Sequence, residues 1–95
     1  MEYALISAAE NGILDVVKWG IEQNANANAI DTFEDTALMT AAKFNHFPVV
    51  WYLVEHGAAV NVQNNDGDTL IQVAAKSKNR EMVKLVDRIR FAPTA

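Results

Sequence analysis

The chain contains no cysteine, which excludes a disulfide framework and cysteine-based zinc or redox chemistry. Glycine and proline are scarce, four and two in 95 residues, and the glycines form no phosphate-cradling loop. Ser7 and Ser77 are the two serines, and neither sits in a Gly-x-Ser-x-Gly elbow. Basic residues number eight against twelve acidic ones, a net charge of −4, and no basic block stands ready to displace counterions from a nucleic acid. No stretch approaches the ~18–20 apolar residues of a membrane span, and residues 1–5 lack the basic start of a secretory signal. These absences argue against an enzyme, a cofactor or metal protein, a nucleic-acid binder and a membrane protein. They leave a soluble, intracellular chain as the expectation.

Alanine and aliphatic residues are present in quantity. Hydrophobic residues make up 51% of the chain, and fifteen residues are alanine. A core of this kind suits close helix approach better than one thick globular interior. The alanines are ordered. The pairs Ala8-Ala9, Ala41-Ala42 and Ala74-Ala75 recur at one constant interval, and each is followed by an apolar pair at one constant offset: Val16-Val17, Val49-Val50 and Met82-Val83. Leu5, Leu38 and Ile71 share the period, as do Thr36 with Thr69 and Asp35 with Asp68. A period of about 33 residues, with small residues in one helix and aliphatics in the next, predicts stacked helical hairpins.

Each register carries a short inner helix (4–11, 36–44, 69–76) and a longer amphipathic outer helix (14–23, 48–56, 80–90). Adjacent alanines favour the first kind. Pro48 suits an opening position of the second outer helix, and Gly57 suits the left-handed turn after it. Asn24 holds the corresponding place in the first register. Between registers lie Asn- and Asp-rich loops, with Asp66-Gly67 a tight-turn signal. The alternation of Val60, Asn61 and Val62 predicts a short extended arm before each turn.

The run Asp66-Gly67-Asp68-Thr69-Leu70-Ile71-Gln72-Val73-Ala74-Ala75 resembles the D-x-x-G-x-T-P-L-H-x-A-A signature of the ankyrin repeat, and residues 49–61 resemble its second helix and the start of its hairpin. The resemblance spans nearly the whole chain. It implies an all-α solenoid of three helix-turn-helix units joined by β-hairpin-like loops, with one domain over residues 1–95. Within it, 1–30 reads as an N-terminal capping repeat, 31–63 as an internal repeat, 64–90 as a C-terminal capping repeat and 91–95 as a frayed tail. Repeat stacks need polar ends; Glu2 at one end, and Asp87 with the charged last helix at the other, are the residues that suggest caps.

Departures from the pattern carry further expectations. Signature Pro and His are replaced by Ala37 and Met39 in the second register and by Leu70 and Gln72 in the third. The family's threonine–histidine hydrogen bond is therefore lost at Thr36, while Gln72 is a candidate substitute beside Thr69. Glu34 stands where the hairpin has glycine, which predicts an unusual finger tip. Gly20 stands where a core leucine is usual, which predicts a bent or loosely packed helix.

By resemblance, function lies on the concave face made by finger tips and inner helices. The contact positions map to Thr32, Phe33, Asp35, Lys43 and Phe44 in the second register and to Asn65, Asp66, Asp68, Lys76 and Ser77 in the third, with Glu10 and Asn11 in the first. The implied activity is non-catalytic binding of another protein as an adaptor or inhibitor. Phe33 and Phe44 would be aromatic anchors, unless either folds back on its own loop. The acidic tips Asp31, Glu34, Asp35, Asp66 and Asp68 would steer a basic partner; a solvated edge is the plainer reading, and the spacing of a calcium loop is missing. His46 and His56, ten apart, do not match a helical metal pair and read as structural. Asn61 reads as a turn-holding residue, and the resemblance adds asparaginyl hydroxylation there in a eukaryotic source. The alternative function is self-association through Trp51, Trp19 and Tyr52, as a homodimer rather than a monomer.

Overall fold

In the computed structural model residues 2–90 are described, with side chains over residues 4–89. The tail at 91–95 and the side chain of Glu2 fall outside them. The described chain runs through α1 (Glu2–Asn11), α2 (Leu14–Glu22), α3 (Ala37–Lys43), α4 (Phe47–Glu55), α5 (Leu70–Lys76) and α6 (Arg80–Arg90). These are the three expected inner and outer helices, with ends displaced by one or two residues. Thr36 and Thr69 cap their helices instead of joining them, and Phe47 precedes Pro48 in the first turn of α4.

The helices lie in two layers. In the inner layer α3 packs against both α1 and α5, and α2 and α4 adjoin in the outer layer. Alanine makes this spacing possible: Ala37, Ala41 and Ala42 have no measurable exposure, and Leu38, Met39 and Thr40 are buried with them. The outer helices supply the aliphatic bulk through Val17, Val49, Val50, Leu53, Met82 and Val86. Burial fails at the two ends of the stack. Val16 is exposed although its register equivalents Val49 and Met82 are buried, and Ala75 is exposed although Ala9 and Ala42 are buried.

Left-handed backbone follows the same period. Gly12, Asn45 and Lys78 close the turns between paired helices, at φ of 69°, 64° and 60°. Asn24 and Gly57 take φ of 64° and 87° after the outer helices, as expected from their positions. Glu34 and Gly67 take φ of 61° and 78° at the finger tips. A glutamate in that region is strained relative to glycine by about 1 kcal/mol, so the departure at Glu34 keeps the shape of the finger and adds strain.

Two expectations are corrected. Helix α2 is continuous through Gly20 and is not loosely packed there. That residue is buried, and a methyl built on it would meet the Leu5 side chain at 3.4 Å, so Leu5 fills the space a leucine would have taken. The extended arms do not form strands among the described residues; the first finger carries one antiparallel bridge pair, Ile30 with Thr36. Side chains hold these loops. No described helix is long and apolar enough to cross a membrane.

Gly20→Ala is expected to raise stability by about 0.5–1 kcal/mol, because alanine is the better helix former and its methyl meets ordinary contact. Gly12→Ala is expected to lower it by about 2 kcal/mol or more, from left-handed strain and a clash. There the added carbon would lie 2.4 Å from His46 Nδ1. Urea melts of the two variants check both signs.

Candidate functional site

The two fingers are built alike, from one acceptor side chain each. Asp31 Oδ1 accepts the backbone N–H of Phe33 at 2.8 Å and of Asp35 at 3.0 Å. Asn64 Oδ1, one repeat on, accepts those of Asp66 at 3.0 Å and Asp68 at 2.9 Å. The backbone closes each loop, with Asp31 N–H donating to the Asp35 carbonyl and Asn64 N–H to the Asp68 carbonyl. The fingers are then tied to each other. Asn64 Nδ2 donates to Asp35 Oδ1 at 2.8 Å, and Asn65 N–H donates to the Phe33 carbonyl at 3.0 Å.

Between the fingers and the inner helices lies an open depression of about 510 Å³. Eight of the twelve predicted contact residues line it: Phe33, Asp35, Lys43, Phe44, Asp66, Asp68, Lys76 and Ser77. Thr32 and Asn65 are exposed at the finger tips and do not line it. Asn64 and Val73 line it without having been predicted. Asn64 was traceable from its alignment with Asp31, whereas Val73 is a core residue that the depression uncovers at its floor. Glu10 and Asn11 are exposed at the end of α1, away from it, where the Glu10 carbonyl and the Asn11 amide serve helix-end hydrogen bonds.

Phe33 is 68% exposed and Phe44 45%, so neither folds back into its own loop. Lys43 Nζ stands 5.8 Å from the Phe44 ring centroid, a cation–π distance. The Ser77 hydroxyl is committed to the Ala74 carbonyl at 2.6 Å.

The acidic rim is smaller than the sequence suggests. Asp35 is 8% exposed and commits one oxygen to Asn64. Asp31 caps its loop, and Asp68 pairs with Lys76. The exposed carboxylates left at the tips are Glu34 and Asp66. The hydrogen bond from Lys76 to Asp68 raises the ammonium above its ordinary 10.5, against a smaller lowering by burial, with the charges of Asp68 and Asp66 adding to the rise. The stabilisation this pair gives is therefore full below the ordinary lysine value and lost as pH rises through the raised one, leaving the site unchanged across neutral pH. Among the described residues, no three His, Asp or Glu side chains converge as metal ligands would.

Both histidines bind the backbone. His46 Nε2 donates to the Glu10 carbonyl at 2.9 Å, and its ring covers Gly12. His56 Nδ1 donates to the Tyr52 carbonyl at 2.8 Å, with the two rings stacked at 4.0 Å. Tyr52 and Trp51 of α4 meet different neighbouring helices. Lys18 of α2 stands 5.9 Å from the centroid of the Tyr52 ring. Trp51 instead shares a depression with Phe47 and with Glu81, Lys84, Leu85 and Arg88 of α6.

A family model described as ankyrin repeats, in three copies, matches residues 5–90. The chain belongs to the ankyrin repeat family. Proteins of this family are in general protein–protein interaction modules and typically non-catalytic. No curated protein matches the chain. Set against the ankyrin pattern, the loss of histidine at Met39 leaves Thr36 Oγ1 capping the Met39 N–H at 3.2 Å. Gln72 does replace histidine in the third unit: its Oε1 accepts from the Thr69 N–H at 2.8 Å and from the Thr69 hydroxyl at 3.2 Å. Asn28 binds across units, accepting the Ala59 N–H at 2.8 Å. Its equivalent Asn61 makes no side-chain hydrogen bond to the described residues.

Asn64→Ala removes three side-chain hydrogen bonds and leaves the buried Asp35 carboxylate without its donor. The expected loss is about 2–3 kcal/mol. Asn65→Ala, which keeps its backbone donor, is expected to change stability by less than about 0.5 kcal/mol. Chemical denaturation of the pair separates the two roles.

Proposed function

We propose that this ankyrin repeat domain is an adaptor or inhibitor that binds a partner protein through the depression between its fingers and inner helices. One observation carries the reading: two large aromatic side chains, Phe33 from a finger and Phe44 from the end of α3, stand exposed around a depression with an apolar floor. Exposed rings of this kind cover much area with little entropy to lose, and they dominate binding where they can be buried. Around them the polar groups are fixed beforehand. Asp35, Asp68 and Ser77 already have partners within the chain, so a ligand meets a preorganised surface.

The partner's chemistry follows from what is left free. An apolar side chain suits the space between the rings, and basic groups beside it would face Glu34 and Asp66 at the tips. These exposed carboxylates would set encounter rate and salt sensitivity more than final affinity. We place the chain inside the cell on the same reading. The contact residues, and residues 1–30 and 64–90 as the terminal repeats on either side of one internal repeat, belong to this proposal too.

Phe33→Ala with Phe44→Ala is expected to weaken partner capture by about 10-fold to 100-fold while leaving the melting curve unchanged, because both rings are exposed. Affinity capture from the native cell, compared between wild type and the double variant, provides the measurement. Partners recovered in equal amount by both proteins would remove the depression from consideration.

A further inference from the structure

The net charge of −4 conceals a polarised chain. Residues 1–30, which carry α1 and α2, hold four acidic residues and one basic, a net −3; residues 69–95, which carry α5 and α6, hold six basic and two acidic, a net +4. The two ends of the helical stack are opposite in charge. They are also the places where burial is incomplete.

The incoming end, at α1 and α2, exposes Ala4, Val16 and Trp19. Their equivalents one repeat later are Ala37 and Val49, both fully covered, and Tyr52, which is partly buried. The outgoing end, at α5 and α6, shows a depression of about 490 Å³ whose lining includes Ala75, Arg80, Val83 and Lys84. There Ala75 and Val83 are the equivalents of Ala42 and Val50, which have no exposure. Each end thus exposes groups whose equivalents in the internal repeat are covered.

The internal joints show what such a contact would contain. At the joint of α4 and α6, Phe47 and Trp51 face Glu81, Lys84, Leu85 and Arg88. Advancing the first pair by one repeat gives Arg80 and Lys84; moving the second set back by two gives Asp15, Lys18, Trp19 and Glu22. A copy stacked with the same translation would set Arg80 and Lys84 against Asp15 and Glu22. The joint of α2 and α4 adds a matching detail. Lys18 stands over the Tyr52 ring there, and advancing that joint by two repeats carries Lys18 to Lys84 and Tyr52 to Trp19 of the next copy. A lysine would again lie over an aromatic ring.

We infer that the chain associates head to tail with a second copy, the basic α5–α6 end of one docking on the acidic, apolar α1–α2 end of the next. Such a contact is heterologous. It leaves one free end at each side and propagates into an open stack. It is separate from the depression between the fingers, so its failure would leave the proposed binding function untouched.

Sedimentation velocity from micromolar to millimolar chain tests it. At low salt the weight-average mass should climb from 10.5 kDa with concentration and pass beyond the dimer. At about 1 M salt, where screening acts within ~3 Å, it should fall back towards the monomer. Val16→Asn with Trp19→Asn removes the apolar contact of the incoming end without adding charge that Arg80 and Lys84 would attract, and Arg80→Glu with Lys84→Glu reverses the outgoing one. Each variant alone should remain monomeric, and an equimolar mixture should form a capped pair of twice the chain mass. Circular dichroism confirms folding, and Arg80→Ala with Lys84→Ala reports on the same face if charge reversal disturbs α6. A wild type that stays monomeric at millimolar concentration and low salt overturns the second-copy assignment, leaving the end to a different protein. A mixture that stays monomeric, or a single variant that assembles as the wild type does, overturns the head-to-tail geometry.

Discussion

Helix α3 approaches both of its inner-layer neighbours closely, and the other features of the molecule follow from that approach. Six consecutive residues of the helix, Ala37 to Ala42, are buried. A helix can be covered on this scale only if its side chains are small or shaped to the gaps, since interiors are packed as densely as organic crystals. Three alanines meet that condition. The spacing they set fixes the distance between successive fingers, and so brings Asn64 within reach of Asp35. The binding surface is thus a consequence of the stack beneath it.

Polar side chains in the fingers take the place that a strand ladder has elsewhere. Asp31 and Asn64 each hold two backbone N–H groups, and Asn64 then turns its amide nitrogen to the preceding finger. A carboxylate, which lacks a donor, cannot replace Asn64 in that second task. Asp31 serves its own loop alone among the described residues, and its acceptors suffice for that. The same period thus carries chemically different residues where the neighbourhood differs. His46 shows this again: it donates to the Glu10 carbonyl, and its ring occupies the volume that a side chain at Gly12 would need.

Electrostatics divides the surface by role. In the fingers, the carboxylates of Asp31, Asp35 and Asp68 are bound within the chain, and those of Glu34 and Asp66 at the tips are exposed. At the scale of the whole molecule, charge is sorted along the stack axis, acidic towards α1 and basic towards α6. Repeat proteins pack only against nearest neighbours, so their end faces are made from residues that internal repeats would bury. Here those faces keep apolar groups, Val16 and Trp19 at one end and Val83 at the other.

The repeat, its helices and the order of its layers follow from the order of residues alone, because a translation by one repeat must leave the same residue types at equivalent places. Leu5 with Leu38 and Ile71, the alanine pairs, and the left-handed turns at Asn24 and Gly57 could all be read there. Most of the lining of the depression was legible as well, since register maps the positions that leave the core. The state of each residue within that register was settled by packing. Asp35 is buried because Asn64 of the next finger reaches it, Gly20 is filled by Leu5 from another helix, and Trp51 is parted from Tyr52 by the helix that carries both. The reason is physical. Periodicity constrains what recurs along the chain, whereas burial and pairing depend on neighbours a full repeat away, and only the packed stack brings these together.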